Sequence, residues 1–246
     1  MTPQQREGRL GVGVIGAGRV GPVLALALAG AGHAVTGVSA ISAESRERAE
    51  SLLPEVPILE VPEVVRRSEL VIFAVPGAEL PGLVEGLTAT GAWQPGQLVL
   101  HTAPEHGYGV FAPALATGVI PLALHPAMVF TGTSLDLARL TGATVAVTAP
   151  APVLPIGQAL AVEMGAEPVV VEEQDRPAYA EAISAAAEFS RAVVRQATGA
   201  LREIGLDRPD RVVGGLVRAA VEEELRAAGG ADPDDPGLDR GRLSEL

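Results

Sequence analysis

Along the first two thirds of the chain, short runs of apolar, often β-branched residues alternate with stretches whose apolar positions recur at helical spacing. Leu10 to Ile15, Ala34 to Val38, Leu70 to Val75, Gln97 to Leu100, Ile120 to Leu124, Thr144 to Val147 and Pro168 to Val171 read as buried strands. Between them, Val20 to Ala29, Ala43 to Leu53 and Leu80 to Thr88 read as helices. Strands alternating with helices predict an α/β fold built on a doubly wound, mostly parallel sheet.

After Val171 the pattern changes. Arg176 to Ile204 has no strand signal, is rich in Ala and Arg, and opens behind Asp175 with Pro177 in its first turn, as a helix start does. Pro209 to Ala228 reads as a second helix, opened by Asp207 or Asp210 and stopped by Gly229-Gly230. The expected organisation is a sheet domain over 9–172, a small helical domain over 173–230 and an acidic tail over 231–246. From Val221 onward eight acids face three Arg, so this end carries five of the chain's twelve net negative charges and reads as solvated. Two helices are too few to enclose a core; they either pack on the sheet domain or pair with another copy. Homodimerisation through them is the expectation.

Composition narrows the chemistry. All eighteen basic residues are Arg, and the 246 residues include no Lys, Asn or Cys. A Schiff-base lysine, a thiolate nucleophile, a disulfide and a cysteine-ligated zinc are therefore excluded. A net charge of −12 argues against a nucleic-acid partner, because phosphate binding needs clustered cations. No uninterrupted apolar run approaches the length of a membrane span, and Met1 to Gly8 is polar, so a cytoplasmic protein without a membrane partner is expected.

The run Gly16-Ala17-Gly18-Arg19-Val20-Gly21 follows the first strand and opens the first helix. There Gly16 permits the tight turn, Gly18 the approach of a pyrophosphate to the backbone and Gly21 the packing of helix on strand, with phosphates at the helix N-terminus. About 20 residues on, where an NAD site places a carboxylate on the ribose, stand Ser39 and Ser42, followed by Arg46 and Arg48. Hydroxyls and guanidinium groups suit a 2′-phosphate, which favours NADP(H) over NAD(H); a solvated helix face shared with Glu44 and Glu47 is the plainer reading of the two arginines. Val75-Pro76 ends another strand and should run past the cofactor.

Among four histidines, His101 and His125 each end a strand-like run, at the sheet edge where ligands bind if those strands parallel the first. An imidazole there can move the proton that accompanies hydride transfer. Thr102 is a neighbouring hydrogen-bonding candidate. The competing reading is two buried structural histidines. His33, at a helix end, reads as a partly exposed structural residue, and His106 as a loop residue or substrate contact. His101, His106 and His125 lack an accompanying carboxylate, so no metal is expected.

Together the fingerprint Gly16 to Gly21, Val75-Pro76, His101-Thr102 and the run Leu124-His125-Pro126-Ala127-Met128-Val129-Phe130-Thr131-Gly132-Thr133 with Asp136-Leu137-Ala138-Arg139-Leu140 resemble the Rossmann-like proteins of domain-of-unknown-function family 2520. These are relatives of pyrroline-5-carboxylate reductase and the 6-phosphogluconate dehydrogenase-like group. The resemblance spans about Leu10 to Ala228. It implies a Rossmann domain followed by a helical dimerisation domain, an NADP-type cofactor and redox chemistry on a small carbonyl or imine. The family's polar positions are only partly kept: Val75-Pro76-Gly77-Ala78 stands where Val-Pro-Asp-Asp is usual, His101-Thr102-Ala103-Pro104 where His-Thr-Ser-Gly is usual, and of the helical-domain motifs Arg176 and Tyr179 remain. Two function classes follow: an active NADP(H)-dependent oxidoreductase, or a catalytically lapsed member that binds a nucleotide or small ligand as a sensor or partner subunit. β-Hydroxyacid and 6-phosphogluconate dehydrogenases and ketopantoate reductase use a Lys and an Asn that this chain lacks.

Overall fold

The computed structural model describes residues 9–229. The predicted alternation is realised as β1 (Gly11–Ile15), α1 (Gly21–Gly30), β2 (Ala34–Ser39), α2 (Ala43–Leu52), α3 (Val61–Arg66), β3 (Leu70–Phe73), α4 (Leu80–Ala89), β4 (Leu98–His101), a 3-10 helix (Tyr108–Thr117), β5 (Ile120–Pro126), α5 (Leu135–Leu140), β6 (Thr144–Thr148), α6 (Leu154–Glu163) and β7 (Glu167–Val170). All seven strands share one sheet in the order β2-β1-β3-β4-β5-β6-β7. Along β3, Leu70 and Ile72 pack on one face while Val71 and Phe73 pack on the other, so both faces need cover. The first face is covered by α1 and α6, and the second by α3, α4 and the 3-10 helix.

β1 through β5 are parallel, which brings the carboxyl ends of β1, β3, β4 and β5 to one edge. The chain winds outward from β1 to β2 and then crosses back to β3, so the crevice between β1 and β3 is the switch point at which such sheets bind ligands. β6 is antiparallel to β5, and β7 parallel to β6. The connection from β5 to β6 carries one short helix, α5, of six residues. Beyond β2, Ile58 makes a single parallel bridge to Val38, a rudiment of a further strand.

The long helix α7 (Arg176–Glu203) and α8 (Pro209–Gly229) follow. The chain divides into two compact units between Ile183 and Ser184, inside α7, so Arg176 and Tyr179 belong with the sheet. In the second unit Pro209 and Val213 of α8 are buried, while Phe189, Val193, Leu216 and Leu225 are exposed. Gly230, the acidic tail over 231–246 and the polar Met1 to Gly8 segment lie outside the described residues. Among the described residues, no helix is long and apolar enough to cross a membrane.

Candidate active site

The glycine-rich turn after β1 has the geometry its spacing predicts. Gly16 adopts φ +100°, and a Cβ there would clash with the Ala74 carbonyl; at Gly21 a Cβ would strike the Gly16 carbonyl. These two glycines are required by the turn itself. At Gly18, by contrast, a Cβ would meet nothing within 4 Å, so the backbone faces open space at the start of α1. No side chain caps that helix start at Val20, which leaves backbone donors for an anion. A groove of about 540 Å³ runs from Ala17 and Gly18 to Ser39, Ser42, Val75 and Pro76. A second cleft, of about 460 Å³, continues past Ala74, Val75 and Pro76 to Arg19, Thr102, His125, Met128 and Phe130. The two clefts adjoin across the shared wall Ala74–Pro76.

At the end of β2, the buried Ser39 Oγ accepts the Gly16 N–H at 3.3 Å and so ties the second strand to the turn. Ser42 Oγ caps α2 by accepting the Ser45 N–H at 3.1 Å. Arg46 lines a depression of about 250 Å³ with Ser39 and Glu60. Arg48 goes elsewhere: its guanidinium donates to the Ala17 carbonyl at 3.2 Å and pairs with Glu44 at 2.6 Å. The two arginines, interchangeable in the sequence, serve different places.

The two strand-end histidines separate. His101 pairs with Ala123 in the β4–β5 register, so His125 stands two residues, roughly 6–7 Å, farther toward the carboxyl edge. His125 lines the cleft; His101 is fully buried, against Phe111. The reading of His101 as a group that meets substrate is therefore corrected: its Nε2 donates to the Gly107 carbonyl at 2.9 Å, and its Nδ1 has no partner. Burial lowers its pKa to about 3, so the ring is neutral. His33 is also buried rather than partly exposed: Nδ1 accepts the Leu10 N–H at 3.1 Å and Nε2 donates to Glu163 at 2.8 Å.

His125 Nδ1 lies 2.9 Å from the Tyr179 hydroxyl, with the two rings edge to face. Burial, and then the charge of Arg176, lowers its pKa to about 4. Arg176 is fully buried: Nε donates to Thr148 Oγ1 at 2.7 Å, and Nη2 to the carbonyls of Ala123 at 2.9 Å and Ala146 at 3.1 Å. Burial lowers its pKa to about 10, which still leaves a cation. Sequence reasoning noted Arg176 and Tyr179 as surviving motif residues but gave Arg176 no place in the site. Their spacing of three, which puts both on one helix face, was the available signal.

Two loops wall the cleft, each fixed by a buried or half-buried carboxylate. Glu173 accepts the N–H groups of Tyr108 and Gly109, both at 2.9 Å, while His106 Nε2 donates to the Gly77 carbonyl at 3.0 Å. Thr102, at the root of this loop, lines the cleft and is largely buried. On the other side, Asp136 fixes Thr131 and Gly132. Among the described residues no group of three or more His, Asp or Glu is placed to hold a metal.

Residues 2–126 match the model of the Rossmann-like domain, and residues 143–230 that of a domain of unknown function, DUF2520. No curated protein matches. Among solved structures the chain is similar to a Bacteroides fragilis protein provisionally assigned as an NADP oxidoreductase (TM-score 0.70, 18% identity, 92% of this chain and 82% of that one). It is similar to a Plasmodium falciparum pyrroline carboxylate reductase with NADP bound (TM-score 0.62, 12% identity, 91% and 80%). A Cupriavidus necator semialdehyde dehydrogenase NAD-binding protein, in complex with calcium and NAD, also matches (TM-score 0.59, 16% identity, 90% and 82%).

Proposed function

Because the chain belongs to the Rossmann-like domain family and carries a DUF2520 domain, we propose that it is a nicotinamide-dinucleotide-dependent oxidoreductase acting on a small carbonyl or imine. The observation that carries this reading is the pair of clefts adjoining at Ala74–Pro76, with an open Gly18 and an uncapped helix start at one and His125 at the other. The residues fit the cofactor: Gly16 to Gly21 would take the pyrophosphate, Ser39 and Ser42 the adenosine ribose, and Val75 and Pro76 the middle of the dinucleotide. The bound cofactor supplies or accepts hydride. His125 holds the proton at its cleft-facing nitrogen, Thr102 orients the substrate or the nicotinamide amide, and Met128 and Phe130 exclude water.

NADP(H) is preferred over NAD(H) in this reading. No carboxylate ends β2, and Arg46 stands beside Ser39 where an added phosphate would lie. The neighbours with NADP and with NAD bound are consistent with either dinucleotide. A homodimer completes the reading: Phe189, Val193, Leu216 and Leu225 are exposed on α7 and α8, and a second copy is the cover we assign.

Fluorescence titration tests the function. NADPH should bind at micromolar concentration and NADH at least tenfold more weakly, with turnover on a carbonyl and imine panel. Binding without turnover on any member would favour the lapsed, ligand-sensing alternative, whose motivation is the replaced polar set at Gly77, Ala78, Ala103 and Pro104. Absence of binding to either cofactor would sink both.

A further inference from the structure

Behind the cleft, β5 contributes His125, while α7 contributes Arg176 and Tyr179 one turn apart. Arg176 is an unusual neighbour. Its guanidinium is fully buried, Nη1 has no hydrogen-bond partner, and among the described residues no carboxylate pairs with it. A buried charge without a counter-ion is costly. It lies over the Tyr179 ring, 5.8 Å from the centroid.

Proton positions at His125 follow from which groups can donate. Burial raises the Tyr179 pKa, and the Arg176 charge offsets part of that rise, so the phenol keeps its proton at rest while the cation favours it as a donor over an acceptor. Among the described residues the Tyr179 hydroxyl has one acceptor within reach, His125 Nδ1 at 2.9 Å. If Nδ1 carried the proton instead, the phenol O–H would have no acceptor, which costs free energy in a half-buried site. The O–H therefore donates to Nδ1, and the imidazole proton sits on Nε2, the nitrogen with no partner in the protein.

We propose that Tyr179 is a positioning residue for His125, holding the tautomer that presents Nε2–H to the cleft and refilling Nδ1 when that proton leaves, with Arg176 as the fixed countercharge to the phenolate. The destination of the proton rests on the oxidoreductase reading above. A substrate carbonyl that gains hydride from a reduced nicotinamide needs one proton on oxygen. The Nε2–H bond breaks as the substrate O–H bond forms, and the phenol O–H breaks as Nδ1–H forms. This leaves a neutral imidazole in its other tautomer beside a phenolate; as water protonates Nε2, Nδ1 returns its proton to the phenolate and the resting tautomer is restored. The charged and titratable groups around the pair are Arg176, Glu173, His101 and His106, with Arg19 across the cleft.

Nitrogen-15 shifts of the His125 ring, read on the cofactor-free full chain near neutral pH and assigned by difference with His125→Gln, test the assignment. The expected result is a protonated Nε2 and a bare, hydrogen-bonded Nδ1, with the Nδ1–H form rising at least several-fold in Tyr179→Phe. A protonated Nδ1 in the unsubstituted protein, or a tautomer unmoved by Tyr179→Phe, overturns it. In turnover, Tyr179→Phe should lower kcat about tenfold or more at a KM within about twofold; a loss confined to KM overturns the proton supply. Failure of the unsubstituted protein to bind NADPH overturns the oxidoreductase reading instead, and the tautomer measurement still decides the place of Tyr179. Since Arg176→Met can fail to fold, the decision rests on Tyr179→Phe.

Discussion

The N–H of Gly132 donates to the carboxylate of Asp136 at 2.8 Å, and that carboxylate is fully buried. It also accepts the Thr131 N–H at 2.8 Å and the Thr131 hydroxyl at 2.9 Å. Burial alone would raise its pKa, but the bonds from Gly132, Thr131 and Thr133 prevail and lower it. Asp136→Asn puts an NH2 group against backbone donors, so unfolding stability should fall by about 1–3 kcal/mol, measured by urea titration. Because the folded-state pKa is depressed, the contribution of Asp136 is present above the ordinary carboxylate value and is lost as pH falls through the folded one. The gap between Asp136 and Asn variants should close in acid; a gap constant with pH would refute the charge-based account.

Gly16 and Gly18 should respond oppositely to the same substitution. Gly16→Ala introduces a Cβ at φ +100° against the Ala74 carbonyl and should destabilise by more than about 1 kcal/mol while abolishing cofactor binding. Gly18→Ala meets open space, so the melting temperature should hold within a few degrees while NADPH affinity falls about tenfold or more. Unchanged affinity in a stable Gly18→Ala protein would remove the pyrophosphate from this turn.

Much of the framework was legible in the sequence. Apolar runs marked all seven strands to within a few residues, and the glycine spacing placed the turn between β1 and α1. The histidines show the boundary of such reading. His101 and His125 occupy equivalent places at strand ends, yet the β4–β5 register sets one in the core and the other at the cleft. Register depends on pairing between distant segments and leaves no trace in either strand alone. The reversal of β6 was likewise hidden, because strand direction, like register, is set by pairing with a distant segment and not by the composition of β6. Arg176 was missed for a related reason: its hydrogen-bond acceptors, Ala123, Ala146 and Thr148, come from two strands far away in sequence.

Stability should fall on mild acidification. His101 and His125 have folded-state pKa values lowered to about 3 and about 4, below the ordinary value of 6.5, so the unfolded chain takes up protons first. Their effect is absent above about pH 6.5 and grows as pH falls toward the folded values. At about pH 5 each should cost of order 2 kcal/mol relative to neutral pH. His125→Gln should flatten the profile by about that amount, measured by urea titration across the range. An equally steep profile in that variant would show that His125 is not held neutral.

The second unit yields the last prediction. Val213 and Pro209 are its buried residues, while Phe189 is 72% exposed on α7 and Leu216 72% exposed on α8. Fully burying an apolar side chain of this size contributes roughly 1.5–3 kcal/mol, so several such residues covered by a second copy can offset the entropy of association. A Glu at either position would need desolvation in the interface but none on an exposed helix. Phe189→Glu with Leu216→Glu should therefore convert a dimer into a monomer in sedimentation, with helical content retained, and dissociation should not be driven by salt because the contacts are apolar. Were the unsubstituted protein monomeric at tens of micromolar, the second copy would not be the cover. Were the double variant still dimeric, the interface would lie away from both side chains.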